Sequence, residues 1–303
     1  MSRIYFAGTN TKEVEQYLED NNVNRLLSYY NDKKLVKDKT ERGFKIFLDS
    51  GAFTAWTKGV EIDEEEYMDF VKEYNDGIEY YMQLDKIPGK FGTGKKPTNE
   101  ELEHAQEETW RNYLHMRDNV VNPEKLVPVF HYGSNIKYFK KLLNDPPECG
   151  IVAIGALVGV NKMNRKIFFD DLFSIIGDMD IKIHALGMTD LELLGIYPIY
   201  SADSSRWIRT ATSGVIFTEY CEVAISKETV KHPHNYKHMH EDMKQLIREE
   251  VEENGFTIEQ LEESSYDRLK YNVKYFLEWE ANDERNNQRN EDWKVRTVQS
   301  KLF

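Results

Sequence analysis

The chain predicts an α/β fold, a (β/α)8 TIM barrel carrying an appended C-terminal helical segment. Three observations lead there. Short β-rich runs recur along the first 220 residues, helical stretches separate them, and eight such units fit in the available length. A doubly wound sheet would usually carry a glycine-rich phosphate turn after its first strand, and AGTN at 7–10 is not that turn.

The expected strands are RIYFAG (3–8), FKIFLDSG (44–51), IEYYMQLD (78–85), LVPVFHYG (126–133), GIVAIGALVG (150–159), IKIHALGM (181–188), IYSAD (199–203) and SGVIFT (213–218). Between them, apolar residues at three and four spacing predict helices over 63–76, 98–119 and 164–178. After residue 219 the character changes to a histidine-rich loop followed by charged helical stretches over 239–254 and 258–286. The expected organisation is therefore a barrel over 1–220 and a histidine-rich loop with a helical extension over 221–303. In that extension Tyr271, Tyr275, Phe276 and Trp279 recur at helical spacing, a stripe expected to pack against the barrel. The tail over 283–303 is polar.

Composition narrows the function. At 40% hydrophobic and 31% charged the chain reads as soluble and globular, and its longest apolar stretch, 151–160, is too short to span a bilayer. The start of the chain enters a strand-like run without a signal pattern, so a cytoplasmic location with no membrane partner is expected. Cys149 and Cys221 do not make a disulfide scaffold. The net charge of −13 argues against a nucleic-acid binder that uses its whole surface, while basic clusters at 33–45, at 86–96 and around Arg206 and Arg209 leave room for a local one.

Asp49, Asp85 and Asp203 each end an apolar, β-type run, where a carboxylate costs desolvation unless it has a partner. In a barrel such positions converge on one mouth. There Asp49 is expected at the end of the second strand, Asp85 the third and Asp203 the seventh, with His131, Gly155 and His184 ending the strands between. Any one of these aspartates alone reads equally well as a helix cap or a loop hydrogen-bonder. Carboxylates with neither a metal-ligand pattern nor a Ser/His pair suggest attack and proton transfer at an anomeric carbon, one ionised and one holding a proton. Arg206, three residues beyond Asp203, is placed to support it. Phe53, Trp56, Tyr132 and Trp207 flank the strand ends and read either as stacking surfaces for a planar base or as rim packing.

On these segments the chain resembles the tRNA-guanine transglycosylase superfamily, and more closely its DNA-acting branch, the phage and bacterial 7-deazaguanine DNA transglycosylases. LDSGAF looks like the family's DSGGFQ segment, YMQLD like its base-reading segment, PVFHYG stands where the family has VQGG, AIGALVG where it has IGGLAVGE, HALGMT where it has LMGVG, and SADSSRW where it has FDCVMPTR. The resemblance implies an enzyme, a pentosyltransferase that exchanges guanine in DNA for a 7-deazaguanine through a covalent aspartyl-glycosyl intermediate. It makes Asp203 the nucleophile and Asp49 the general acid/base. Base binding falls on Asp85 with Ser50, Gly51, Phe53, His131, Gly155, Ala156, Leu157, His184 and Gly187. Lys86, Lys90, Lys95, Lys96, Arg206 and Arg209 would hold the nucleic-acid backbone around a flipped nucleotide. His131 replaces the family's glutamine, and the spacing from Asp203 to Arg206 is shorter. The CxCxxC-plus-histidine zinc site of the tRNA enzymes is missing, which points to DNA over the alternative partner, tRNA. A non-catalytic, nucleic-acid-binding subunit is the third alternative.

No cofactor is needed for this chemistry. Where the tRNA enzymes hold zinc, this chain has HPHNYKHMH, and His232, His234, His238 and His240 with Cys221 make either a structural zinc set or a solvated, phosphate-contacting loop.

Overall fold

The computed structural model describes residues 2–8, 11–90 and 97–281. Strands β1 (Arg3–Ala7), β2 (Arg25–Ser28), β3 (Ile46–Asp49), β4 (Ile78–Met82), β5 (Leu126–Val127), β6 (Val129–His131), β7 (Ile151–Gly155), β8 (Lys182–Ala185) and β9 (Ser201–Ser204) form one parallel sheet in the order β5-β4-β3-β2-β1-β9-β8-β7-β6. Helices alternate with them: α1 (Lys12–Asp20), α2 (Tyr29–Glu41), α3 (Ala52–Thr57), α4 (Glu64–Glu73), α5 (Asn99–Asn119), α6 (Ile136–Asn144), α7 (Lys162–Ile176), α8 (Leu191–Ile196) and α9 (Arg206–Thr212). The C-terminal helices are α10 (Glu241–Glu253), α11 (Ile258–Glu263) and α12 (Ser265–Ala281). This is a TIM-barrel-like α/β fold followed by a helical segment. Among the described residues no helix is long and apolar enough to cross a membrane.

The two ends of the strand order, β5 and β6, are consecutive in the chain and separated by Pro128 alone. They are halves of one interrupted strand, so the sheet comes nearly full circle. Proline has no N–H to give a ladder, and the buried Gln83 supplies the missing bonds. Its backbone N–H donates to the Val127 carbonyl at 3.0 Å, and its Oε1 accepts the Val129 N–H at 3.0 Å. Its Nε2 donates to the Thr109 carbonyl on α5 at 2.7 Å, which ties the seam to the outer layer. Inside, Tyr5, Leu26, Phe47, Met82, Val127 and Ile151 pack together, and each such burial contributes about 1.5–3 kcal/mol. Helix starts follow from caps. Thr98 and Glu101 form a capping box on α5, Asp63 caps α4 and Asn161 caps α7.

The chain divides into two compact units, one of residues 2–7 and 24–203, the other of the described residues of 8–23 and of the chain from 204 onward. The second unit contains a two-stranded antiparallel ribbon, β10 (Val215–Phe217) and β11 (Glu222–Ala224). Its core joins Ile216, Val223, Ile247, Val251, Leu261 and Tyr271. The buried Asn272 accepts the Phe217 N–H and donates to the Trp207 and Val215 carbonyls, and the buried Arg268 donates to the carbonyls of Ala211 and Leu261.

The structure corrects the expected strand list twice. Residues 25–28 are a barrel strand that the sequence pattern did not suggest, because it is four residues long and begins with an arginine; Arg25 is buried and donates to the Phe6 carbonyl. Residues 213–218 do not provide the eighth stave, since β10 pairs antiparallel with β11 in a separate two-stranded sheet. Asp49 therefore ends the third strand and Asp85 follows the fourth, while Asp203 lies on the last. The barrel unit closes at residue 203, short of the expected 220. The aromatic stripe of α12 packs within its own unit: the rings of Phe276 and Tyr275 lie 5.0 and 5.8 Å from that of Phe217.

Candidate active site

Asp49 is the last residue of β3 and shares a face with Phe47, because side chains alternate along a strand. Phe47 belongs to the barrel interior, so Asp49 stands above it at the mouth. The chain turns immediately at Gly51, whose φ of 79° is in the left-handed region and whose N–H donates to Asp49 Oδ2 at 3.2 Å. A side chain there would place Cβ 2.5 Å from both Ser28 Oγ and Tyr30 Cβ, so the turn requires glycine. Ser50 is buried, and its Oγ accepts the Ala52 N–H.

Burial pushes the Asp49 carboxyl up to about 7, and the charges of Asp85 and Asp203 push the same way, against the Gly51 N–H. The charges of Asp85 and Asp203 thus act on Asp49. A fourth acid adds to the effect. Asp32, in the first turn of α2, accepts the Ser28 N–H at 2.9 Å and is itself raised by burial. It sits just past the end of β2, a strand that the sequence pattern does not suggest.

Asp85 follows β4 in a segment tied to α5. The Leu84 carbonyl accepts from Asn112 Nδ2 at 2.9 Å, and the Lys86 N–H donates to Thr109 Oγ1 at 3.0 Å. Asp85 Oδ2 lies 2.7 Å from His131 Nε2, with both side chains 12% exposed. His131 is in register with Gly155 on the neighbouring strand. A Cβ on Gly155 would come within 2.6 Å of His131 Cδ2, so the glycine makes room for the ring. Beyond it Ala156 has φ of 58°, a conformation that costs a non-glycine residue about 1–2 kcal/mol, and Leu157 turns back into the core.

Asp203 on β9 is 6% exposed. Its Oδ1 accepts the Gly187 N–H at 2.9 Å and lies 3.3 Å from His184 Nε2. His184 Nδ1 is 2.8 Å from Ser201 Oγ. Ser201 is two residues before Asp203, on the same strand face, and that spacing of two is the signal by which it could have been found. Gln83 bears the same relation in sequence to Asp85. The mouth therefore holds two histidine–carboxylate pairs and one carboxyl, Asp49, without such a partner among the described residues.

The other expected site residues are less uniform. Phe53 is 61% exposed with its ring 5.7 Å from Trp56, whose Nε1 donates to the Gly89 carbonyl. Tyr132 packs edge-on against Phe168. Lys86 is engaged by Glu61 at 3.1 Å and Glu108 at 3.7 Å, and Lys90 is exposed. Lys95 and Lys96 lie outside the described residues. Arg206, Arg209 and Trp207 belong to the second unit, where Arg206 pairs with Glu222 over the Phe217 ring, Arg209 is exposed and Trp207 is buried. The histidine-rich loop uses its rings locally. His232 Nδ1 accepts the His234 N–H, His238 Nε2 contacts the Val230 carbonyl at 2.6 Å, and His240 Nδ1 caps α10. Among the described residues no three His, Cys, Asp or Glu side chains come together to hold a metal ion, and Cys221 with these histidines forms no such set.

Chemically, the mouth offers a carboxyl able to hold and release a proton near neutrality beside two carboxylates whose positions are fixed by histidines. Comparison of the chain with protein-family models gave no match, and comparison with curated proteins gave none.

Proposed function

We propose that this barrel mouth exchanges a guanine in DNA for a 7-deazaguanine base by double displacement. The observation that carries the proposal is the Asp49 carboxyl, raised to about 7 by burial and by Asp85 and Asp203. A group that must first give a proton and then take one back works best with both forms populated at the working pH.

In the first step an oxygen of Asp203 bonds to C1′ of the nucleotide as the C1′–N9 bond breaks. Guanine leaves with that electron pair and takes the Asp49 proton. In the second, N9 of the incoming base attacks C1′, its proton passes to Asp49, and the Asp203 carboxylate is released. Configuration is retained, the backbone stays intact, and no oxidant or cofactor enters the balance. Asp85, with Oδ2 engaged by His131, offers its second oxygen to a base N–H. The target must leave the stack to reach a barrel mouth. The missing CxCxxC-plus-histidine site of the tRNA enzymes supports DNA as the polymer.

The test supplies duplex DNA carrying labelled guanine, or tRNA in its place, together with candidate 7-deazaguanines. Release of label from DNA with a modified nucleoside in the digest is expected. Release from tRNA alone would move the substrate to RNA, and tight binding with no release from either would make the protein a non-catalytic subunit.

A further inference from the structure

We infer that His184, backed by Ser201, is a positioning residue that fixes one oxygen of Asp203 and thereby presents the other for attack. The inference rests on the proposed exchange reaction for its consequence, though not for its geometry.

His184 is fully buried on β8, its ring 4.8 Å from that of Phe47 and 5.9 Å from that of Tyr5. Both ring nitrogens face side chains of β9, Nδ1 toward Ser201 Oγ at 2.8 Å and Nε2 toward Asp203 Oδ1 at 3.3 Å. Direct pairing of His184 with Ser201 across the two strands sets this register. A carboxylate only accepts, so a proton on the ring belongs on Nε2, and the Ser201 hydroxyl then donates to Nδ1. The order Ser201, His184, Asp203 is thus a directional chain ending on a single oxygen.

Gly187 is the second donor to that same oxygen, at 2.9 Å, and its φ of 64° turns the N–H inward. A histidine that merely completed the core would need partners for its two nitrogens and nothing more. Here a side chain and a backbone amide from one segment converge on Oδ1, while among the described residues no hydrogen bond reaches Oδ2. The two oxygens of Asp203 are therefore inequivalent. Oδ2 is the one left to bond C1′, and the held Oδ1 prevents the carboxylate from rotating away.

The experiment compares His184→Ala, His184→Gln and Ser201→Ala with the unaltered chain. Three quantities are followed: DNA affinity, the single-turnover rate of the covalent protein–DNA species, and the 15N spectrum of the imidazoles. His184→Ala should keep DNA affinity and lose about 10²-fold in the covalent step, the scale of a misplaced reacting group. Added imidazole should restore part of the rate, and His184→Gln, which keeps an N–H donor near Oδ1, should retain most of it. A purely structural role would move fold and affinity together and would not respond to imidazole. In the unaltered chain the 15N spectrum should place the His184 proton on Nε2, and in Ser201→Ala, where the Asp203 carboxylate still faces Nε2, it should stay there while the Nδ1 resonance shifts with the loss of the hydroxyl donor. A proton on Nδ1 in the unaltered chain would overturn the inference, as would a folded His184→Ala variant with an undiminished covalent step. If the unaltered chain forms no covalent species, the exchange reaction fails, and the 15N result still decides the clamp.

Discussion

Replacing Asp49 by asparagine separates the cost of the site from its use. The folded chain holds the Asp49 proton more tightly than the unfolded chain does, with the carboxyl moved from 3.8 to about 7. Folding therefore takes up a proton between these values, and stability falls as pH rises through the interval. Below about pH 4 both states are protonated and nothing is lost; above about pH 7 the folded chain carries the whole penalty, about 4 kcal/mol at the conversion of 1.36 kcal/mol per pH unit. Asparagine keeps an acceptor for the Gly51 N–H and carries no charge. The variant should match the unaltered chain near pH 4 and exceed it by up to about 4 kcal/mol near pH 8, while losing base exchange. Urea unfolding at the two pH values measures this. A stability difference that is the same at both would refute the assignment of a proton-holding carboxyl to Asp49.

The same group sets the pH dependence of the reaction. Formation of the covalent species requires protonated Asp49 and should fall on the alkaline side of about pH 7, whereas its resolution by the incoming base requires ionised Asp49 and should fall on the acid side, as single-turnover profiles would show. Gly155→Ala sets a Cβ 2.6 Å from His131 Cδ2 and should displace His131 from Asp85, costing about 1–3 kcal/mol in urea unfolding and weakening selection between bases. Gln83→Leu leaves the Val129 N–H and the Thr109 carbonyl without their partner at the Pro128 seam and should cost about 1–3 kcal/mol per group; a neutral result would show that the seam closes by other means.

The alternation of strand and helix was legible because the barrel strands are buried runs of β-formers and the helices between them keep an apolar face. What escaped was local. Arg25–Ser28 is four residues long and opens on an arginine, whose acceptor, the Phe6 carbonyl of the adjacent strand, exists only once the sheet forms. Val215–Phe217 looks like a stave because two buried faces and one buried face are indistinguishable over three residues; its partner, Glu222–Ala224, carries no β pattern. In the site, aspartates at strand ends were visible as misplaced acids. Their partners were visible only as positions: His131 and His184 ended strands, but which carboxylate each would meet depended on strand order. Ser201 and Asp32 needed the correct register and the missing strand. The Arg206 expectation came from its spacing to Asp203 and from the resemblance; its side chain pairs with Glu222.

The central claim is that Asp203 becomes covalently attached to the sugar of a DNA nucleotide. The direct measurement is mass spectrometry of the protein after incubation with a guanine-containing DNA oligonucleotide without incoming base, followed by denaturing quench and peptide mapping. The expected result is an adduct on the peptide containing Asp203, absent in Asp203→Asn and discharged by added 7-deazaguanine. Full base exchange by Asp203→Asn, or an adduct mapped to another residue, would contradict the account.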